Sequence, residues 1–247
     1  MTVENEQDLL GLKAIGRIVG LTIQHMAQHL QPGMTTAELD AIGAEFLAQQ
    51  GARSAPILAY NFPGHTCISI NSEAAHGAPR SDRVIQPGDL VNIDVSAEKD
   101  GYWADSGMSF HVPPYDPAKQ KLLRVARRAL DVAIQQARAG RLINQVGKAV
   151  ETYAKKQGFF VIRELNGHGI GRFIHEAPSV PHFYNPSFKE RFEVGMVLTL
   201  EPFIAMQPTR IFEGEDGWLL KTNGTLVAQY EHTIVITENE PILLTAV

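Results

Sequence analysis

The stretch PGDLVNID, residues 87–94, returns 107 residues later as VGMVLTLE, residues 194–201. Gly88 falls on Gly195 and Asp94 on Glu201. Side chains alternate across a strand, so Val91, Ile93 and Val95 face one way while Asn92 and Asp94 face the other. Working outward, the same offset lays Gly33 on Gly140 and Gly51 on Gly158, each glycine ending a helix-like run. Identity is weak, but the register runs without a gap from Gly33 to Asp94. We read it as an internal duplication, with two similar halves facing each other across a cleft. Chance similarity between amphipathic helices is the competing account, and it explains the acid-on-acid match poorly. Two copies are too few for a solenoid.

The remaining elements follow from periodicity and punctuation. Residues 6–30 carry Leu10, Ala14, Ile18, Leu21 and Met26 at near-helical spacing, and Pro32-Gly33 stops that helix. Thr35, with Glu38 three residues on, predicts a capped second helix to about Gln50. Residues 66–71, 89–97 and 102–111 read as strands, and the last two form a hairpin. Helices are expected at about 117–138 and 142–157, and strands at 196–205 and 227–237. At 247 residues the chain is long enough for a full core, and its 44% hydrophobic and 20% charged residues are ordinary for a globular protein. A net charge of −5 argues against a nucleic-acid binder. The one cysteine excludes an internal disulfide and suits a reducing cytosol. Neither a signal peptide nor an apolar run of about 20 residues is present. The expectation is a cytoplasmic monomer.

The chemistry concentrates in acids and two histidines. The segment GHGIGRFIHEAP, residues 167–178, sets three glycines around His168 and places His175 seven residues on. Glycine lets the backbone approach a ligand closely. In the hairpin, a turn centred between Lys99 and Asp100 places Asp94 opposite Asp105, about 5 Å apart, where like charges destabilise. A turn at Asp100-Gly101 instead sets Asp94 against Gly107, and both registers are open. Glu201 shares a strand face with Thr199, and Glu231 shares one with Gln229 and Thr233. Four acids on four strands, with His168 nearby, suit a dinuclear metal site in which carboxylates bridge two ions. Such oxygen-rich ligation favours Mn²⁺ or Fe²⁺, and Co²⁺, Zn²⁺ or Ni²⁺ would also fit.

HGAP at 76–79, VNIDVSAEKDGYWADS at 91–106, NGHGIGRFIHEAP at 166–178, LTLEPF at 198–203 and AQYEHTIVIT at 228–237 closely resemble the methionine aminopeptidases. The likeness covers essentially the whole chain, in the compact type I form. The fold this implies is α+β, the pita-bread fold: two pseudo-symmetric α/β halves around a curved, mainly antiparallel sheet. It would be one catalytic domain over residues 1–247, with the pseudo-repeat at about 12–112 and 117–238.

The resemblance also assigns roles. Asp94 matches a ligand of the first metal, Asp105 and Glu231 match the bridging ligands, and His168 and Glu201 match ligands of the second. His76 is placed to bind substrate and His175 to polarise the scissile carbonyl. The activity implied is removal of the initiator methionine from nascent polypeptides when the second residue is small. A metal-held hydroxide would attack the carbonyl and Glu201 would shuttle the proton.

Phe62, Cys67 and Trp218 match positions of the methionine pocket, although each could equally be core. Pro56, Ala59 and Ile174 depart from the pocket residues that are frequent in the family. His232 reads as structural, and His25, His29, His65, His111 and His182 carry no assigned role. Lys121, Arg124, Arg127, Arg128 and Arg138 form a basic cluster that is either a solvated helix face or a ribosome-docking one. Two rivals stand beside this reading. One is a pita-bread hydrolase cleaving before proline, and the other is a non-catalytic binding protein, which would be expected to have lost ligands.

Overall fold

The computed structural model describes residues 1–247. Helix α1 spans Glu6–His29 and starts on Asn5, whose side chain accepts from the Asp8 N–H. Helix α2, Thr36–Gln49, begins with the expected capping box, in which Thr35 and Glu38 satisfy each other's backbone N–H. A short helix α3, Ala55–Tyr60, follows a Ser54 cap and ends where Asn61 turns left-handed. Strands β1, Cys67–Ile70, β2, Leu90–Lys99, and β3, Tyr102–His111, form the first sheet together with the two-residue strand Arg53–Ser54, which pairs with β2. Helices α4, Pro117–Gln136, and α5, Asn144–Gln157, cover the second half.

The second sheet contains β4, Gly167–Gly169, β5, Glu176–Val180, β6, Val197–Leu200, β8, His232–Val235, and β9, Ile242–Leu243, in the order β9-β8-β6-β4-β5. Strand β7, Phe203–Ala205, belongs to a smaller sheet with the segment Val227–Gln229. Expected boundaries hold to within a few residues except at two places. The runs 196–205 and 227–237 are each broken, at Glu201-Pro202 and at Tyr230-Glu231. Proline has no N–H to give the ladder, so the chain leaves one sheet at Pro202 and enters another. Glu201 and Glu231 therefore sit on strand breaks and not within strands.

The hairpin register is the second of the two that the sequence allows. Lys99 pairs with Tyr102, and Asp100 and Gly101 form the turn with φ of 53° and 81°. Positive φ at both central residues is the tight hairpin turn whose twist matches the strands. Asp94 accordingly faces Gly107 and Asp105 faces Ser96, leaving the two acids diagonal neighbours on one face.

Each half has its own core on the helix side of its sheet. Leu12, Ile15 and Val19 of α1 pack with Val91, Ile93 and Val95 of β2. Leu122, Ala126 and Ala129 of α4 and Val150 of α5 pack with Leu198, Leu200 and Ile234. The odd-numbered apolar side chains of β2 thus seal the core, and its even-numbered polar ones face the other way. Both glycines of the pairs 33/140, 51/158 and 88/195 have positive φ.

The halves meet through polar contacts. The Glu231 N–H donates to the Gly107 carbonyl at 2.9 Å, and the Asp105 N–H donates to Thr233 Oγ1, also at 2.9 Å. Thr233 Oγ1 in turn donates to the Asp105 carbonyl at 2.6 Å. On α4, Lys121, Arg124, Arg127 and Arg128 are exposed, whereas Arg138 lies beyond the helix end and is half-buried. Lys121 lies over Phe159 and Arg127 over Tyr230, while Arg128 pairs with Asp131 at 3.0 Å. No helix is long and apolar enough to cross a membrane.

Candidate metal centre and substrate cavity

Where the two sheets abut, a cavity of about 510 Å³ opens on the face away from α1, α2, α4 and α5, with α3 at its edge. The five expected ligands line it, together with His76, His175, Phe62, Cys67 and Trp218. Asp105, His168 and Glu231 can each offer one ligand atom within 4.8 Å of the others. His168 Nε2 lies 3.4 Å from Glu201 Oε1 and 3.9 Å from Asp105 Oδ2. Asp94, from β2, adds a fourth carboxylate on the same wall.

The local chain explains this convergence. His168 Nδ1 lies 3.0 Å from the Gly169 carbonyl, which can only accept, so Nδ1 carries the proton. Nε2 is left with its lone pair towards the acids, as a metal ligand requires. Thr199 Oγ1 accepts from the His168 N–H at 3.0 Å and donates to Glu201 Oε1 at 2.9 Å, holding both residues with one hydroxyl. Gln229 donates to Glu231 Oε2 at 2.9 Å and is itself held by Asn92 at 2.8 Å. A Cβ on Gly107 would come within 2.1 Å of Gln229 Oε1, so glycine at the position facing Asp94 is what leaves Gln229 its place against Glu231.

The glycines around His168 serve a purpose different from the expected one. A Cβ on Gly167 would lie 2.4 Å from the Thr199 carbonyl, and one on Gly169 would lie 2.1 Å from that of Ala177. They permit close packing against the neighbouring strands, and the imidazole, not the backbone, faces the cavity. The loop beyond them is pinned. The Arg172 and Phe173 N–H groups donate to Glu176 Oε1 at 2.6 and 2.7 Å, and the Met1 amine bonds the other carboxylate oxygen. Arg172 reaches Asp8 at 2.6 Å.

Electrostatically the site is built for cations. No lysine or arginine pairs with Asp94, Asp105, Glu201 or Glu231. Asp105 Oδ1 and Glu231 Oε1 are buried without any hydrogen-bond partner. Burial pushes the Asp105 carboxyl up to about 6. Burial, and then the charge of Asp105, pushes Asp94, Glu201 and Glu231 well above the usual carboxylate range. Orphaned oxygens, mutual repulsion and one neutral imidazole are a donor set suited to divalent ions. His168 and His175 are themselves pushed down by burial, to about 3 and about 4, so both are neutral at pH 7.

His76 has a φ of 56°, a left-handed backbone that places its ring against the cavity. Such strain is typical where function constrains a residue. Cys67 pairs directly with Asp94 across β1–β2 and lines the cavity. Phe62 meets Trp218 edge-on, with ring centroids 5.2 Å apart. Of the departures from the family pattern, Pro56 and Ile174 line the cavity and Ala59 does not.

Two functional neighbours escaped the sequence reading. His182, fully buried, accepts the Glu201 N–H at Nε2, 3.1 Å away, and so caps the strand break. Tyr60 places its hydroxyl 2.6 Å from His175 Nδ1. Neither lies in a motif, and only the fold brings them to their partners. His232 is structural as expected, bonded to Thr245 Oγ1.

These features define a metallopeptidase, and the chain belongs to metallopeptidase family M24, whose match spans residues 11–238. It is 49% identical to "Methionine aminopeptidase 2" of Bacillus subtilis, over 99% of each chain. It is 44% identical to a "Methionine aminopeptidase" of Staphylococcus epidermidis, over 100% of this chain and 99% of that one. Among solved structures, the methionine aminopeptidase of Rickettsia prowazekii superposes with a TM-score of 0.95 at 32% identity, each chain fully covered. The architecture is accordingly the pita-bread fold.

Two predictions follow from the electrostatics and the support of Glu231. The four acids hold protons more tightly folded than unfolded, so metal-free stability falls as pH rises from about 4 towards 7. Each pKa unit is worth about 1.4 kcal/mol. For Asp105 alone, whose carboxyl is raised from the ordinary Asp range to about 6, this corresponds to a Tm loss of roughly 6–12 °C, and the other three acids add to it. Mn²⁺ competes with those protons, so its stabilising effect in differential scanning fluorimetry grows over the same pH range. Gly107→Ala displaces Gln229 and weakens Mn²⁺ binding by about 10–100-fold in isothermal titration calorimetry, with the circular dichroism spectrum unchanged.

Proposed function

We propose that this chain is a metal-dependent aminopeptidase that removes N-terminal methionine from polypeptides, preferentially when the second residue is small. The observation that carries the reading is the cluster of three buried carboxylates, a half-buried fourth and a neutral imidazole on the cavity wall, with no lysine or arginine paired to them. Asp94, Asp105, His168, Glu201 and Glu231 would hold two divalent ions, with Fe²⁺ or Mn²⁺ favoured by the oxygen-rich donors. When bound, such ions supply Lewis acidity, polarising a carbonyl and lowering the pKa of water.

The chain's own residues divide the remaining work. Phe62, Cys67 and Trp218 form a wall of the size and softness that suits a thioether. His76 and His175 offer neutral imidazoles to the peptide on the exposed side of the metal ligands. Glu201 can take a proton and return it to the leaving amine, since Thr199 occupies only its Oε1. Pro56 and Ile174 narrow or reshape the pocket relative to the common family pattern and so tune side-chain preference.

We further propose that the protein works as a cytosolic monomer on the N-termini of nascent chains. The cations on α4 are stacked or paired at Lys121, Arg127 and Arg128, which favours a solvated face over ribosome docking.

The reading is tested with Met-Ala-Ser, Met-Leu-Ser and Xaa-Pro peptides in the presence of Mn²⁺, following release of the free amino acid. Met-Ala-Ser is expected to be cleaved well, Met-Leu-Ser poorly and the proline series not at all; cleavage of only the proline series would overturn the proposal. Asp105→Ala is expected to lower turnover by at least about 10³-fold while retaining the native circular dichroism spectrum. Full activity in that variant would refute the metal site and the reading with it.

A further inference from the structure

The two histidines of residues 167–178 have ring centroids 4.3 Å apart, yet different partners hold their outer nitrogens. For His168 the partner of Nδ1 is a backbone carbonyl, which can only accept. For His175 it is the Tyr60 hydroxyl, at 2.6 Å. A phenol oxygen shares its lone pair with its ring and is a poor acceptor, whereas the bare nitrogen of a neutral imidazole is a good one. The favoured arrangement is therefore O–H of Tyr60 donating to Nδ1 of His175. Nε2 of His175 then carries the ring's only proton, and no protein group bonds it.

We propose that Tyr60 is the positioning residue of His175, fixing its imidazole in the Nε2–H tautomer so that it donates a hydrogen bond to the peptide carbonyl. The inference rests on the reading of His175 given above. It makes the two neighbouring rings opposite in kind: His168 presents a lone pair and His175 a proton. A neutral histidine has one of each, and the outer partner decides which faces inward. The arrangement is also anchored. Tyr60 is the last residue of α3, stacked edge-on against Phe173 at 6.2 Å, and the Phe173 N–H is held by Glu176. Tyrosine and imidazole are thus fixed to the same loop.

The position is suited to a clean test because Tyr60 is 39% exposed and Tyr60→Phe keeps the ring. On Met-Ala-Ser with Mn²⁺, Tyr60→Phe is expected to lower kcat by roughly 10-fold, the value of one oriented hydrogen bond, with KM within about two-fold. A raised KM at unchanged kcat would mean that Tyr60 touches substrate instead, and would overturn the proposal. So would unchanged values of both. An independent readout is ¹⁵N NMR of histidine-labelled full chain loaded with Zn²⁺. His175 is expected to show a protonated Nε2 and a bare Nδ1, and Tyr60→Phe should shift it towards a mixture. A wild-type signal with the proton on Nδ1 would overturn the assignment.

His175→Ala separates the two readings. If its turnover is normal, the role given to His175 falls. If it loses at least about 100-fold while Tyr60→Phe is unaffected, only the role of Tyr60 falls.

Discussion

Four carboxylates, three of them buried and Asp94 half-buried, beside one neutral imidazole and with no lysine or arginine among them, form the constraint to which the rest of this structure answers. Like charges so placed repel each other, and burial removes the water that would screen them. A fold adopts such a cluster only where packing elsewhere is strong and where a cation is meant to enter. The two helix-covered cores supply the packing. The orphaned oxygens of Asp105 and Glu231 mark where a cation is expected.

The acids come from chain segments far apart in sequence, and the junction between the sheets brings them together. Asp105 and Thr233 exchange backbone and hydroxyl bonds across it, and the Gly107 carbonyl receives Glu231. One hydroxyl, Thr199, aligns His168 with Glu201, and one amide, Gln229, aligns Glu231. These supports leave His168, Glu201 and Glu231 each one side-chain donor atom free, which is how such residues keep their geometry before an ion arrives. On the rim the same economy sets the two imidazoles apart by the partner each has on its outer nitrogen.

Much of this was legible in the residues. The alternation of β2, the capping box at Thr35 and the spacing of Gly33, Gly51, Gly88 and their counterparts each follow from local rules that act over a few residues. The candidate donor residues were legible too, through the 107-residue repeat and the likeness of their motifs to one family, since acids scattered without such a pattern are usually solvated surface. The break at Glu201-Pro202 was missed even though proline signals it. The apolar run LTLEPF masks a change of sheet, and a strand reading extends through it. The three glycines beside His168 were expected to meet a ligand; Gly167 and Gly169 instead meet the carbonyls of Thr199 and Ala177, and Gly171 meets the Met1 side chain. Glycine signals a close approach but not what approaches.

The sequence by itself determined most of the elements, through residue type and short-range periodicity, and the class of chemistry, through motifs that resemble one family. Only the tertiary structure decided the hairpin register, because both turns satisfied the pattern and Asp100-Gly101 prevails through its positive φ. It also decided the left-handed turn at His76, the seat of His182 behind Glu201 and the bond from Tyr60 to His175. Those are contacts between residues whose separation along the chain carries no signal. They exist because two packed halves close around one cleft.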